Sequence, residues 1–246
     1  MTSLSSKVPE DVVYPNQPLI EVAFELRFFG EPVIESRRHE FYEEIRAEYP
    51  MLYVPAIAAG SLPALQRYKF EREDGSAGVT LALNALGYFQ KEYEGSSRFM
   101  GEIFRLAEIA ENLFSIRRFS RIGWRYINLI PFTREKGLIP IARFFNNPPS
   151  LFGIESHEFS EVQFRASTTY EDQKVLINLQ SQDGDQDADE SLIFDIDVFV
   201  DNLGERDFAV SQLPETIDKL HRIARNLFED SITDEYREFL KGETYG

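Results

Sequence analysis

From Ile20 to Phe28 apolar and polar positions alternate: Ile20, Val22, Phe24, Leu26 and Phe28 fall on one side, Glu21, Glu25 and Arg27 on the other. A period of two predicts a strand with one face in the core and one face wet or charge-paired. Gly30-Glu31-Pro32 ends it, and from Ser36 to Tyr49 the period lengthens to that of a helix carrying Phe41 and Ile45 inward, stopped by Pro50. The stretch from Met51 to Leu65, broken by proline and Gly60, reads as an apolar loop. Arg67–Glu73 and Gly78–Tyr93 read as two strands joined at the turn signal Glu73-Asp74-Gly75. Ser96 or Ser97 then caps a long helix to about Phe114, with Phe99, Ile103, Leu106, Ala110 and Leu113 as its stripe. Arg118–Phe132 returns to strand, Ile122, Trp124 and Tyr126 alternating with Arg121, Gly123 and Arg125.

After a short apolar segment at Ile139–Phe145 and a Pro/Asn loop, strands are expected at Phe159–Tyr170, Val175–Gln180 and Ser191–Val200. A helix follows over about Pro214–Phe228, with a shorter one over Ile232–Leu240. The succession predicts an α+β protein: a mainly antiparallel sheet with helices packed on one face. Its first half follows the β-α-β-β-α-β order of ferredoxin-like folds. Leu106–Phe114 aligns without gaps on Leu220–Phe228 with six identities in nine positions, Asn112 and Asn226 among them. This points to tandem duplication of a β-α-β-β-α unit, ferredoxin-like or helix-grip-like. The expected organisation is a loose tail over 1–13, a first unit over 14–116 and a second over 117–246, packed together as one domain.

Composition narrows the classes of function. The 21 Phe, 11 Tyr and one Trp supply a large core for 246 residues, and the absence of cysteine removes disulfides, thiolate metal sites and cysteine nucleophiles. No apolar run reaches the length of a membrane span and Met1–Glu10 has no signal-peptide core, so a cytoplasmic protein without membrane contact is expected. With 26 Lys and Arg against 42 Asp and Glu the formal charge is −16, which opposes whole-surface attraction to nucleic acid.

Against that background, the segment between Glu111 and Glu135 holds no acid and five arginines, interleaved with aromatic residues. Arg117, Arg118, Arg121, Trp124, Arg125 and Tyr126 are therefore the candidates for binding an anion or a partner, guanidinium forks gripping phosphate and rings offering stacking surfaces. A second account needs no ligand. If the Trp124 strand lies antiparallel beside the Glu21 strand, Arg121 and Arg125 face Glu21 and Glu25 as cross-strand ion pairs.

Asp183-Gly-Asp185-Gln-Asp187-Ala-Asp189-Glu190 resembles a calcium loop in its alternating oxygens. It lacks the glycine and the closing glutamate at the required places and reads better as an acidic hairpin tip. Asp195 and Asp197 share one face of a strand, as metal-dependent hydrolysis would need, although the polar side of an amphipathic strand is the commoner explanation. His39, His157 and His221 have no metal-ligand spacing, and neither a nucleophile elbow nor a phosphate-binding glycine loop is encoded. No catalytic residue, metal or cofactor is assigned from these patterns.

Tyr14–Phe28, Gly123-Trp124-Arg125-Tyr126-Ile127-Asn128 and the terminal Leu220, Asn226, Leu227, Phe228, Ser231 and Ile232 together resemble an uncharacterised, sporadically distributed bacterial family of about 250 residues. The resemblance implies a bacterial cytosolic protein with an accessory or defence-linked role, and it brings no catalytic residues. Three functions follow as expectations. The first is a non-enzymatic module binding a ligand, another protein or a second copy of itself as a homodimer. The second is a nucleic-acid-associated factor using residues 117–126, and the third a hydrolase built on Asp195 and Asp197.

Overall fold

The computed structural model describes residues 13–54, 67–146, 159–184, 190–201, 203 and 210–242. The expected tail over 1–13 is, but for Val13, outside the described residues, as are His157 and Asp185, Asp187 and Asp189 of the acidic loop. The architecture is α+β, with a nine-stranded antiparallel sheet in the order β2-β3-β4-β5-β1-β6-β9-β8-β7. The strands are β1 (Leu19–Phe28), β2 (Met51–Tyr53), β3 (Tyr68–Glu71), β4 (Ala77–Ala82), β5 (Ala85–Gln90), β6 (Phe119–Pro131), β7 (Gln163–Tyr170), β8 (Gln173–Gln182) and β9 (Ser191–Asp201). Among the described residues five α-helices accompany them: α1 (Val33–Ile45), α2 (Ser96–Phe114), α3 (Ile141–Phe144), α4 (Leu213–Ser231) and α5 (Asp234–Leu240).

The chain divides into two compact units. One comprises Met1–Ile20, Arg125–Val198 and His221–Gly246, the other Glu21–Trp124 and Phe199–Leu220. Strands β1, β6 and β9 and helix α4 each have residues in both units.

In the unit of Glu21–Trp124, β1 alternates from Val22 on: Val22, Phe24, Leu26 and Phe28 are buried while Glu25 is half-buried and Arg27 exposed; Ile20, expected on the core face, is 43% exposed. Phe24 lies opposite Tyr88 of β5, and Tyr88 opposite Val79 of β4, so the apolar face continues across the strands. Helices α1 and α2 cover that face. Phe41 of α1 meets Phe70 at 6.1 Å and Phe114 at 6.0 Å, and Phe99 of α2 stands between Tyr88 at 4.8 Å and Trp124 at 5.0 Å. Helix α2 ends at Ser115 in the left-handed region, φ 55°, and Arg37 donates to the freed carbonyl of Leu113 at 2.5 Å.

Three local expectations are corrected here. Gly78–Tyr93 is not one strand but the β4–β5 hairpin, in which Ala82 faces Ala85 across the two-residue turn Leu83-Asn84. These strands are buried on both faces apart from Thr80, so no change of alternation marks the turn. The apolar stretch expected as a loop starts with a strand, β2, which pairs Leu52 with Phe70. Helix α1 also begins at Val33 rather than Ser36, because Pro32 both stops the strand and suits a helix start.

In the other unit, β7 and β8 form a regular hairpin whose turn residues Glu171 and Asp172 both have positive φ, 47° and 64°, the twist that two-residue hairpins favour. Phe194 of β9 packs between Phe145 at 5.1 Å and Phe228 of α4 at 6.3 Å. The segment entering β1 is tied down by Asn16, whose amide hydrogens donate to the carbonyls of Leu240 and Phe239 at 3.1 and 2.9 Å. Beside it, Tyr14 donates to the buried Glu229 carboxylate, which also accepts from Arg237 Nε at 3.2 Å.

Candidate anion-binding surface

The structure separates the six candidate residues into three groups. Trp124 is fully buried and Tyr126 nearly so: the first lies edge-on to Phe99, the second edge-on to His221 at 6.3 Å. Both rings belong to the core and offer no stacking face. The strand period explains this, since even-numbered residues of β6 point toward the helices and the arginines at 121 and 125 point away.

Arg121 and Arg125 meet carboxylates. Arg121 donates to Glu25 at 3.0 Å, the cross-strand pair expected from the spacing. Arg125 forms a bidentate pair with Asp195, both bonds 2.7 Å, a partner the strand spacing did not suggest. Among the described residues no three histidine or carboxylate side chains converge as metal ligands. Arg134 bonds Glu190 at 2.7 Å and lies 3.5 Å from Asp183, so these two acids of the candidate calcium loop meet an internal cation.

Arg117 and Arg118 remain exposed. They line a cleft of about 360 Å³ together with Phe29, Gly30, Glu31 and Ser115. The left-handed Ser115 turns the chain out of α2 and presents the two arginines before β6 begins, while the end of β1 supplies Phe29, which is 59% exposed. Arg117 makes no ion pair among the described residues. The cleft thus combines guanidinium charge with an open aromatic ring, a chemistry suited to an anion attached to an apolar body.

Around Glu25 a denser arrangement was not anticipated. Its carboxylate accepts from Arg121, from Arg27 Nε at 2.5 Å, and from Arg67. Burial works to raise the Glu25 pKa, but the charges of Arg67, Arg27 and Arg121 outweigh it and hold the carboxyl below its ordinary range. The bed of this cluster is made of small residues. A Cβ on Gly123 would sit 2.5 Å from Arg121 Nη1, so glycine lets that guanidinium fold down against the strand, where it also lies 4.3 Å above the Phe199 ring. Gly87 stands opposite Glu25 in β5. Alongside, Lys69 and Glu71 form their own ion pair at 2.5 Å. Arg27 carried a signal, since it shares the Glu25 face of β1; Arg67 did not, because its approach to Glu25 crosses the intervening β4 and β5.

No protein-family model matches the chain, and no curated protein matches it.

Proposed function

We propose that this protein is a non-enzymatic binding module that recognises an acidic ligand or partner protein through the cleft carrying Arg117 and Arg118. The observation that carries this reading is that these two arginines stay exposed beside an open phenylalanine in a chain of formal charge −16. Solvating two adjacent cations requires no cleft and no exposed ring; gripping an anion with an apolar portion uses both. The nucleic-acid reading is weakened because Trp124 and Tyr126, the rings that would stack on bases, are core residues. Hydrolysis on Asp195 is weakened by its bidentate engagement with Arg125.

The matched helices favour an internal duplication as the origin of the scaffold. Helices α2 and α4 both span 19 residues, and the equivalent Leu106 and Leu220, Ala110 and Ala224, and Phe114 and Phe228 are buried in each. A bacterial cytosol, where a cysteine-free chain is at no disadvantage, is the setting we propose. The test is affinity purification of the wild type and of the Arg117→Glu, Arg118→Glu double variant from cell extract, with mass spectrometry of what is retained. An acidic protein or metabolite held by the wild type and lost from a folded double variant is the expected result. Identical retention by both proteins sinks the reading.

A further inference from the structure

The Glu25 cluster goes beyond the cleft and rests on different residues. Arg27 and Arg67 each carry five N–H donors in a planar fork, and among the described residues the only carboxylate that either meets is Glu25. Glu25 is shared further with Arg121. Among the described residues one negative charge therefore serves two cations that meet no other acid, with a third drawing on the same oxygens. The side chains of Arg27 and Arg67 are 49% and 43% exposed, whereas that of Glu25 is 14% exposed. The carboxylate is at the bottom and the two guanidiniums reach outward to solvent.

Register explains how they come to share it. Arg27 lies opposite Ala85, and Ala85 opposite Ala82. Extending the β3–β4 register by one residue places Arg67 opposite Ala82. The row is thus Arg-Ala-Ala-Arg, two long cations flanking two methyl groups. An ordinary structural ion pair needs no such surplus: the neighbouring Lys69 and Glu71 close one to one.

We propose that Arg27 and Arg67 form a binding site for a phosphate monoester dianion, and that Glu25 occupies their inner donors as an internal competitor. A dianion with three terminal oxygens accepts from two forks at once and matches the unbalanced charge better than a single carboxylate or a monoanionic phosphodiester. Glu25 holds the two forks together while repelling the incoming anion.

The experiment is isothermal titration of the full chain with phenyl phosphate, inorganic pyrophosphate and an oligonucleotide lacking terminal phosphates, at low and moderate salt. Phenyl phosphate and pyrophosphate bind the wild type; Arg27→Gln and Arg67→Gln each weaken that binding at least tenfold. Glu25→Gln, which keeps an acceptor oxygen and removes the charge, strengthens it at least tenfold. Lys69→Gln changes it less than threefold, and circular dichroism establishes that each variant is folded. Unchanged or weaker binding in Glu25→Gln, or full binding in both arginine variants, overturns the proposal, as does tighter binding of the oligonucleotide than of pyrophosphate. The Arg117→Glu, Arg118→Glu protein is titrated in parallel. Loss there with retention in Arg27→Gln and Arg67→Gln places the anion in the cleft, so this proposal then fails while the cleft reading stands.

Discussion

Two carboxylates, one in each unit, treat arginine in opposite ways. Glu229 is buried with Arg237, 6% and 5% exposed, and its remaining acceptor capacity is taken by Tyr14. Arg237 in turn donates to the Glu229 and Ile232 carbonyls and to Asp234, so its fork is filled by the surrounding chain. Glu25 instead collects three guanidiniums, two of which project into solvent. A buried charge has to be matched nearly completely, because an uncompensated ion in a low-dielectric interior is costly. A surplus of charge is tolerated only where water or a ligand reaches it. The contrast separates a lock from a receptor by stoichiometry, not by the presence of ion pairs.

The largest effect belongs to the lock. Arg237→Met strips Glu229 of its cation while leaving the carboxylate inside, and should lower unfolding free energy by about 3–5 kcal/mol in urea titrations. Tyr14 reports on the same event. Its burial, with the charge of Glu229 adding to it, pushes the hydroxyl above its ordinary range, so its ultraviolet titration should move back down when Glu229→Gln removes that charge. A loss below about 1 kcal/mol in Arg237→Met would make the lock no different from a surface pair.

Glu25→Gln should be milder, about 1–2 kcal/mol, because the three arginines it releases are partly hydrated. Its effect should also depend on pH in a defined direction. Glu25 has a lowered pKa in the folded state, so the stability it contributes is fully present above the carboxyl pKa of the unfolded chain, about 4.3. That contribution disappears as pH falls through the lower folded value. Wild type and Glu25→Gln should accordingly converge in stability on acidification and stay a constant distance apart above about pH 6. Parallel curves down to pH 2 would show that the cluster does not hold Glu25 ionised.

How much of this could be read beforehand depended on sequence distance and on how plainly a face alternates. The strand from Leu19 to Phe28 and the helix from Ser96 to Phe114 were legible because each buries a single stripe. Glu25 with Arg121 was legible too, as two charged positions on strands whose order follows from a common pattern. The β4–β5 turn was hidden by strands buried on both sides, and β2 by its length of three residues. Arg67 was missed for a different reason. It reaches Glu25 across a sheet whose intervening positions are Ala82, Ala85 and Gly87, and small residues leave no periodic mark that says a long side chain will lie over them. The burial of Trp124 and Tyr126 was in fact implied by the same alternation that exposed Arg125, although the interleaving of rings and arginines looked like a binding surface.

The smallest effect sharpens the comparison most, because it concerns a bidentate pair whose arginine is half exposed. Arg125 and Asp195 meet through two bonds of 2.7 Å, the geometry of a strong contact, but the Arg125 side chain is 46% exposed. If bond geometry governed the energy, the coupling would approach that of the buried lock. If hydration governs it, water competes for the fork and screens the attraction, leaving about 0.5–1 kcal/mol. A double-mutant cycle of Arg125→Gln and Asp195→Asn, read by urea unfolding, gives the coupling directly. The expected value is below 1 kcal/mol and falls further between low salt and 0.5 M salt. A salt-independent coupling above about 2 kcal/mol would mean that a bidentate fork on this sheet face is shielded from water, and the solvent-reachable surplus invoked at Arg27 and Arg67 would lose its physical basis.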